Sequence, residues 1–146
     1  MRCLLDTCLF LDLISDDYIS SDIQSIIDDL DNTLYISSES IKEYIHLVQQ
    51  GKLAVQLGTA NKERNVFDLI ENEFGINIKY VTKEHLQKMM TLPNVEGHTD
   101  PSDRLIIAQA LAENLTLMSS DTQFPKYRKL HVGLDLIENK RLSKRF

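Results

Sequence analysis

Short runs of β-branched and aliphatic residues alternate along this chain with stretches in which apolar positions recur every three or four residues. That alternation marks strand–helix–strand units wound about a parallel sheet. Strands are predicted at 3–5, 34–37, 78–81 and 115–118, with a weaker one at 134–137. Between the first two, an apolar run over 9–14 precedes a helix at about 21–30, where Ile23, Ile26, Ile27 and Leu30 share one face. A helix over 38–50 stops at Gly51 and another over 61–74 stops at Gly75, because glycine readily takes the left-handed conformation that ends a helix. Residues 83–90 form a short helix, with Met89 and Met90 read as core. The stretch 101–113 is apolar nearly all round, through Leu105, Ile106, Ile107, Ala108, Ala110, Leu111 and Ala112, which predicts a helix buried against the sheet. No internal repeat is visible.

Composition narrows this picture to one domain spanning 1–146. With 146 residues and 42% hydrophobic content, the chain has enough apolar surface for its own core, so neither disulfides nor a partner is required for folding. Its 5 Gly and 3 Pro are scattered, which argues against a linker or a low-complexity tail. The opening Met1-Arg2-Cys3-Leu4-Leu5 looks like the start of a signal peptide, but Asp6 and Asp12 interrupt the apolar stretch, and no secretion is expected. No run is long and apolar enough for a membrane span. Cys3 and Cys8, five positions apart, are read as a buried thiol pair in a reducing cytosol, which makes a cytoplasmic location the expectation.

A net charge of −6 ordinarily disfavours nucleic acid as a partner, but the charge is unevenly spread. Residues 126–146 carry Lys126, Arg128, Lys129, Lys140, Arg141, Lys144 and Arg145 against Asp135 and Glu138. An acidic centre beside a basic rim fits this distribution, and so does an ordinary solvated C-terminal surface.

In an open parallel sheet, functional groups collect at the carboxyl ends of the strands, where the strand order reverses. Four acids map there: Asp6 after the first strand, Glu43 one turn into the helix after the second, Asp103 at the start of the buried helix, and Asp121 just past the fourth strand. Carboxylates packed together repel one another unless a cation offsets the repulsion, and oxygen ligands suit Mg²⁺ or Mn²⁺. Each acid also has a purely structural reading. Asp100 before Pro101 reads as a helix cap, with Asp103 favouring the helix dipole from the third position. Glu43 stands three after Ser40, the spacing of a capping box, and Asp6 and Asp121 suit turns.

Four segments, in order, carry a family resemblance: Leu4-Leu5-Asp6-Thr7; the Ser-rich approach to Ile41-Lys42-Glu43; His98-Thr99-Asp100-Pro101-Ser102-Asp103-Arg104-Leu105-Ile106-Ile107-Ala108-Gln109-Ala110; and Leu117-Met118-Ser119-Ser120-Asp121-Thr122-Gln123-Phe124. Together they resemble the PIN-domain nucleases, and most nearly the VapC-type toxins of bacterial type II toxin–antitoxin systems. The likeness runs from about residue 2 to 137, and the segment around Asp103 is its most specific part. It implies a three-layer α/β/α sandwich with a central, mainly parallel five-stranded sheet, and a Mg²⁺- or Mn²⁺-dependent endoribonuclease. The family's acidic quartet falls on Asp6, Glu43, Asp103 and Asp121, as catalytic and metal-binding residues, the same four that strand-end placement selects. Asp100 matches the longer motif and is read as a helix cap or outer ligand-orienting group, beside Thr7, Ser120 and Thr122. Three positions depart from the pattern: Ser102 where an aromatic is common, Ser119 for the frequent Thr, and Cys8 where Asn, His or Ser is usual. These bear on pocket shape rather than on the carboxylates.

The implied reaction is hydrolytic, with water rather than the RNA 2′-hydroxyl as nucleophile, leaving 5′-phosphate and 3′-hydroxyl ends. Arg104 is either solvated or a phosphate contact, and His98 either approaches substrate or fills the loop. His46, His85 and His131 lack zinc-type spacing. A small antitoxin protein and a homodimer are the implied partners, with Leu11, Ile14, Ile23 and Ile27 either a dimer face or core. Aspartyl-phosphate chemistry fits poorly: phosphatases of the haloacid dehalogenase type need a second acid where Cys8 stands, and receiver domains need an Asp after the third strand, where Val81-Thr82-Lys83 has none. A PIN-like module that binds RNA or protein without cleavage remains the alternative.

Overall fold

The computed structural model describes residues 1–52, 65–130 and 132–140. The start of the helix expected at 61–74 lies outside them, as do His131, Arg141, Lys144, Arg145 and the side chain of Lys129.

Strand β1 (Arg2–Leu5) leads through Asp6 into α1 (Thr7–Ile14), and α2 (Ser21–Asp28) returns to β2 (Thr33–Ser37). Helix α3 (Ser38–Gln49) follows directly, then α4 (Val66–Asp68), which continues as a π-helical turn over Leu69–Glu73. The second half comprises β3 (Asn77–Lys79), α5 (Lys83–Met90), α6 (Pro101–Glu113), β4 (Thr116–Ser119), a 3₁₀ segment over Phe124–Leu130 and β5 (Leu136–Glu138). Five strands form one sheet in the order β3-β2-β1-β4-β5, and every pairing is parallel.

Side-chain alternation along the strands divides the core in two. Cys3 and Leu5 of β1, Leu34 and Ile36 of β2 and Met118 of β4 face a cluster built with Leu9, Phe10, Ile14, Ile23, Ile41, Tyr44 and Ile70. Leu4 and Leu117 face the opposite cluster, with Ile106, Ile107, Ala110, Phe124 and Tyr127. Helices thus cover both faces of the sheet, giving the three-layer α/β/α sandwich. Helix α6 sits where its all-round apolar sequence places it, with Leu105 through Ala110 buried.

Several local expectations need correction. Helix α2 ends at Asp28, so Leu30 falls beyond it, in the approach to β2, and is 97% exposed. Met90, at the end of α5, is 85% exposed, while Met89 packs against the core. Strand β3 is shorter and starts one residue earlier than expected. Cys3 and Cys8 are not a buried pair: only Cys3 is buried, because Cys8 lies on the first turn of α1 and reaches solvent. Ile14 and Ile23 are buried in the core, and Leu11 and Ile27 pack partly buried against it. Among the described residues, no helix is long and apolar enough to cross a membrane.

Candidate active site

Strands β1 and β4 are neighbours in space although β2 and β3 intervene in sequence, so the chain reverses direction across the sheet between them. The carboxyl ends of these two strands open into the crevice where open α/β sheets carry their ligands. Asp6 follows β1 and Asp121 follows β4, so the two acids flank this crevice.

Asp6 is the N-cap of α1, and its side chain is 1% exposed. Oδ1 accepts the Leu9 backbone N–H at 2.8 Å, and Oδ2 accepts the Ser119 hydroxyl at 2.6 Å. Burial nevertheless pushes its carboxyl up to about 7, against the lowering effect of those hydrogen bonds, and nearby Asp121 adds to the rise. Asp121 closes a turn: its N–H donates to Ser119 Oγ at 2.8 Å, and its Oδ1 accepts from Gln123 N at 2.8 Å. Ser119, itself 1% exposed, therefore joins the two acids through one hydroxyl. Ser119 was read from sequence only as a departure from a family pattern, but the residue two before Asp121 at the end of a strand is where such a bridge must come from.

Helix α6 brings the third acid. Asp100 caps it, accepting from Ser102 N at 2.9 Å and Asp103 N at 3.2 Å, with Pro101 at the first helical position, as its sequence indicates. Asp103, at the third helical position, projects into the crevice. Burial, and then the Asp100 charge, raise its carboxyl to about 6, while a contact from His98 opposes the rise.

Glu43 comes from α3. Ser37, not Ser40, caps that helix, so the capping-box reading of Glu43 falls away, and Ser40 instead accepts the Thr7 hydroxyl at 2.8 Å in the interior. Thr7 thereby ties α1 to α3, the two helices that carry Asp6 and Glu43. Burial raises the Glu43 carboxyl, and the charges of Asp100 and Glu39 add to the rise. The Ser102 hydroxyl donates to Glu39 at 2.8 Å, linking the starts of α6 and α3.

Oxygen atoms of Glu43, Asp100 and Asp103 approach one another within 4.8 Å, as do ligating atoms of His98, Asp103 and Asp121. Asp103 is common to both groups and stands at the centre. Asp6 lies behind them, joined to Asp121 through Ser119. The other expected orienting residues differ in place. Ser120 accepts from Asn139 at 3.0 Å, which fixes the β4–β5 side of the crevice, and Thr122 is exposed there. The crevice continues on either side, into a 450 Å³ hollow lined by Lys42, Glu43, His46, Leu47, Asp100 and Ser102, and a 380 Å³ hollow lined by Ser119–Thr122, Glu138, Asn139 and Lys140.

Several residues acquire partners that the sequence left open. Arg104 is half-buried and donates to the carbonyls of Leu92 and Pro93 and to Tyr127 Oη. His98 is buried, with Nδ1 2.6 Å from Tyr127 Oη and Nε2 3.3 Å from Asp103 Oδ2. Of the expected basic rim, Lys126 reaches the Glu96 carbonyl and Arg128 pairs with Glu138 at 2.8 Å. His85 lies elsewhere, buried against Glu113 together with Lys79.

The profile of the PIN domain family matches residues 3–130. No curated protein matches the chain in sequence. Solved structures do match in fold. VapBC2 from Rickettsia felis, bound to a DNA fragment from their promoter, superposes with a TM-score of 0.66 at 20% identity, covering 94% of this chain and 98% of that one. DNA-bound VapBC from Salmonella typhimurium gives 0.63 at 13% identity with the same coverages, 94% and 98%. VapBC-5 from Mycobacterium tuberculosis, a member of the VapBC family of toxin–antitoxin systems, gives 0.56 at 16% identity, over 96% and 98% of the two chains.

Proposed function

The chain belongs to the PIN-domain family, and from that membership we propose that it is a single-domain, metal-dependent endoribonuclease, the toxin of a type II toxin–antitoxin pair. The observation that supports the reading is that Asp103 shares one group of close ligating atoms with Glu43 and another with Asp121, with Asp6 joined to Asp121 through Ser119, and with the carboxyls of Asp6 and Asp103 raised to about 7 and about 6. Acids raised in this way are a site arranged for a positive charge that the protein's own side chains do not supply. Their oxygen-rich donor set fits Mg²⁺ or Mn²⁺. Asp6, Glu43, Asp103 and Asp121 would hold the cation, and Asp100 borders them. When bound, it supplies Lewis acidity that lowers the pKa of water and offsets charge developing on a phosphodiester.

The protein's share of the chemistry is positional. Ser119 and the Leu9 N–H hold Asp6 in place, one on each carboxylate oxygen. Asp103 and Asp121 offer carboxylate oxygens suited to orienting a water molecule toward a phosphorus atom in the crevice. Lys42 and His46 line the hollow on one side, and Lys140 the hollow on the other, where they meet a strand of phosphates running across the acids. An antitoxin partner, as in the named VapBC complexes, would place basic side chains among these acids and exclude substrate.

The test is incubation of total cellular RNA with purified protein and Mn²⁺ or Mg²⁺, beside a chelator control and the Asp6→Asn, Asp103→Asn double variant. Metal-dependent cleavage that leaves 5′-phosphate ends, and that the variant loses, is the expected result. Cleavage leaving 2′,3′-cyclic phosphates, or persisting in the variant, overturns it. Metal-loaded, folded protein that never cuts RNA favours binding without cleavage.

A further inference from the structure

We propose that Arg104, Tyr127 and His98 form a tautomer lock that keeps the His98 imidazole out of the metal ligand set and turns it into a positioning residue for Asp103. The inference deepens the nuclease reading, but it rests on hydrogen-bond accounting around a buried hydroxyl.

Tyr127 Oη is buried and carries one proton. Arg104 can only donate, so its NH1, 3.2 Å away, takes one lone pair of Oη. The hydroxyl proton then has His98 Nδ1, at 2.6 Å, as its acceptor. An imidazole whose Nδ1 accepts must carry its proton on Nε2, and Nε2 faces Asp103 Oδ2 at 3.3 Å. The other tautomer sets the Nε2 lone pair against a carboxylate oxygen and leaves the tyrosine proton without that acceptor in an apolar interior, a cost of the size of a lost buried hydrogen bond.

The ring has little freedom to escape this arrangement. It meets Phe124 and Tyr127 edge-on, with centroids 5.6 and 5.4 Å away, and the His98 backbone N–H donates to Val95 O at 3.0 Å. Arg104 is equally fixed, by the carbonyls of Leu92 and Pro93. Since Arg104 follows Asp103 on α6, the lock runs from that helix, through the 3₁₀ segment and the loop before α6, back to the carboxylate it positions.

By distance alone His98 could be a third ligand beside Asp103 and Asp121. With a proton on Nε2 it has no lone pair to give. The centre therefore offers oxygen only, which suits Mg²⁺ and Mn²⁺, whereas a bare imidazole nitrogen would recruit Zn²⁺ or Ni²⁺. Tyr127 is on this account a determinant of metal selectivity that never touches metal.

The experiment reads the tautomer first, in metal-free, ¹⁵N-histidine-labelled protein, from long-range ¹H–¹⁵N correlations, with the His98 signal assigned by its loss in His98→Gln. The expected state is Nε2–H, and a dominant Nδ1–H state overturns the proposal. Calorimetric titrations with Zn²⁺ and Mn²⁺ follow. Tyr127→Phe, which removes only the hydroxyl, should raise Zn²⁺ affinity relative to Mn²⁺ roughly 10-fold, the tautomer preference being worth about one buried hydrogen bond. His98→Gln, which retains an N–H donor, should hold Mn²⁺ more tightly than His98→Ala. An unchanged Zn²⁺/Mn²⁺ ratio in a folded Tyr127→Phe protein, or equal Mn²⁺ binding by the two His98 variants, refutes the lock. Neither readout depends on RNA cleavage, so a protein that fails to cut RNA yet shows the tautomer and the selectivity change loses the nuclease reading alone.

Discussion

Replacing Asp6 with asparagine should make the metal-free protein more stable at pH 8 and slightly less stable at pH 4. Asp6 is 1% exposed, and burial raises its carboxyl from 3.8 to about 7. The sign follows from linkage: a carboxyl raised in the folded state favours folding while protonated, and that contribution is fully present below about pH 4 and lost as pH rises through 7. At about 1.4 kcal/mol per pH unit, the ionised side chain at pH 8 costs the fold about 4 kcal/mol. An amide removes that cost and still caps α1, because asparagine is as good an N-cap as aspartate. What it loses is the Ser119 bond: the new amide N–H₂ faces Ser119 Oγ, whose own proton then lacks its acceptor, a loss of about 1 kcal/mol. The net expectation is a gain of about 3 kcal/mol at pH 8 and a deficit of about 1 kcal/mol at pH 4. Urea unfolding in chelator at both pH values measures it. Mg²⁺ at 100 times its Kd should then bring the two proteins close to equal stability at pH 8, since it adds about 2.7 kcal/mol to the parent and the variant lacks a ligand. An Asp6→Asn protein less stable than the parent at pH 8 in chelator, or a difference independent of pH, refutes the electrostatic account of this site.

Two further outcomes separate the site from the scaffold. Ser119→Ala strips one hydroxyl from both Asp6 and Asp121 and should cost about 2–3 kcal/mol at pH 8, with metal-dependent cleavage falling; Ser119→Thr, which keeps the hydroxyl, should restore both in the same urea and cleavage assays. Glu113 has the opposite linkage to Asp6: although burial alone would raise its carboxyl, hydrogen bonds from Lys79 and His85 outweigh it and lower the carboxyl, so its stabilisation is present at neutral pH and fades as acid protonates it. Glu113→Gln should therefore lower stability by about 1–2 kcal/mol at pH 7, with a smaller loss at pH 4, and leave cleavage unchanged. Reduced cleavage in a fully folded Glu113→Gln protein would contradict that separation.

The elements that are visible in sequence here are those whose signal is local. Asp100-Pro101 states a cap, and Asp100 caps α6. The apolar run after it states burial, and Leu105 through Ala110 are buried. Periodicity places α3 and α5, and the strand-end rule places Asp6 and Asp121 at the ends of β1 and β4. The misreadings share a cause. Leu30 and Met90 fit an apolar face by spacing, but each stands at or past the end of its helix, where nothing packs on it. Ser40 and Glu43 have the spacing of a capping box, but Ser37 at the strand end takes the cap first, and Ser40 is then free to meet Thr7.

Sequence alone thus determined the alternation of strands and helices, the buried helix, and which carboxylates gather at one end of the sheet, because each depends on residues within a few positions of one another. Only the tertiary structure decided that Ser119 joins Asp6 to Asp121, that Tyr127 and Arg104 reach His98, and that Asp103 stands between two groups of ligating atoms. Those contacts join positions as far as 113 residues apart. Their geometry is set by how the sheet brings β1 beside β4 and α6 across its face, which no local pattern encodes.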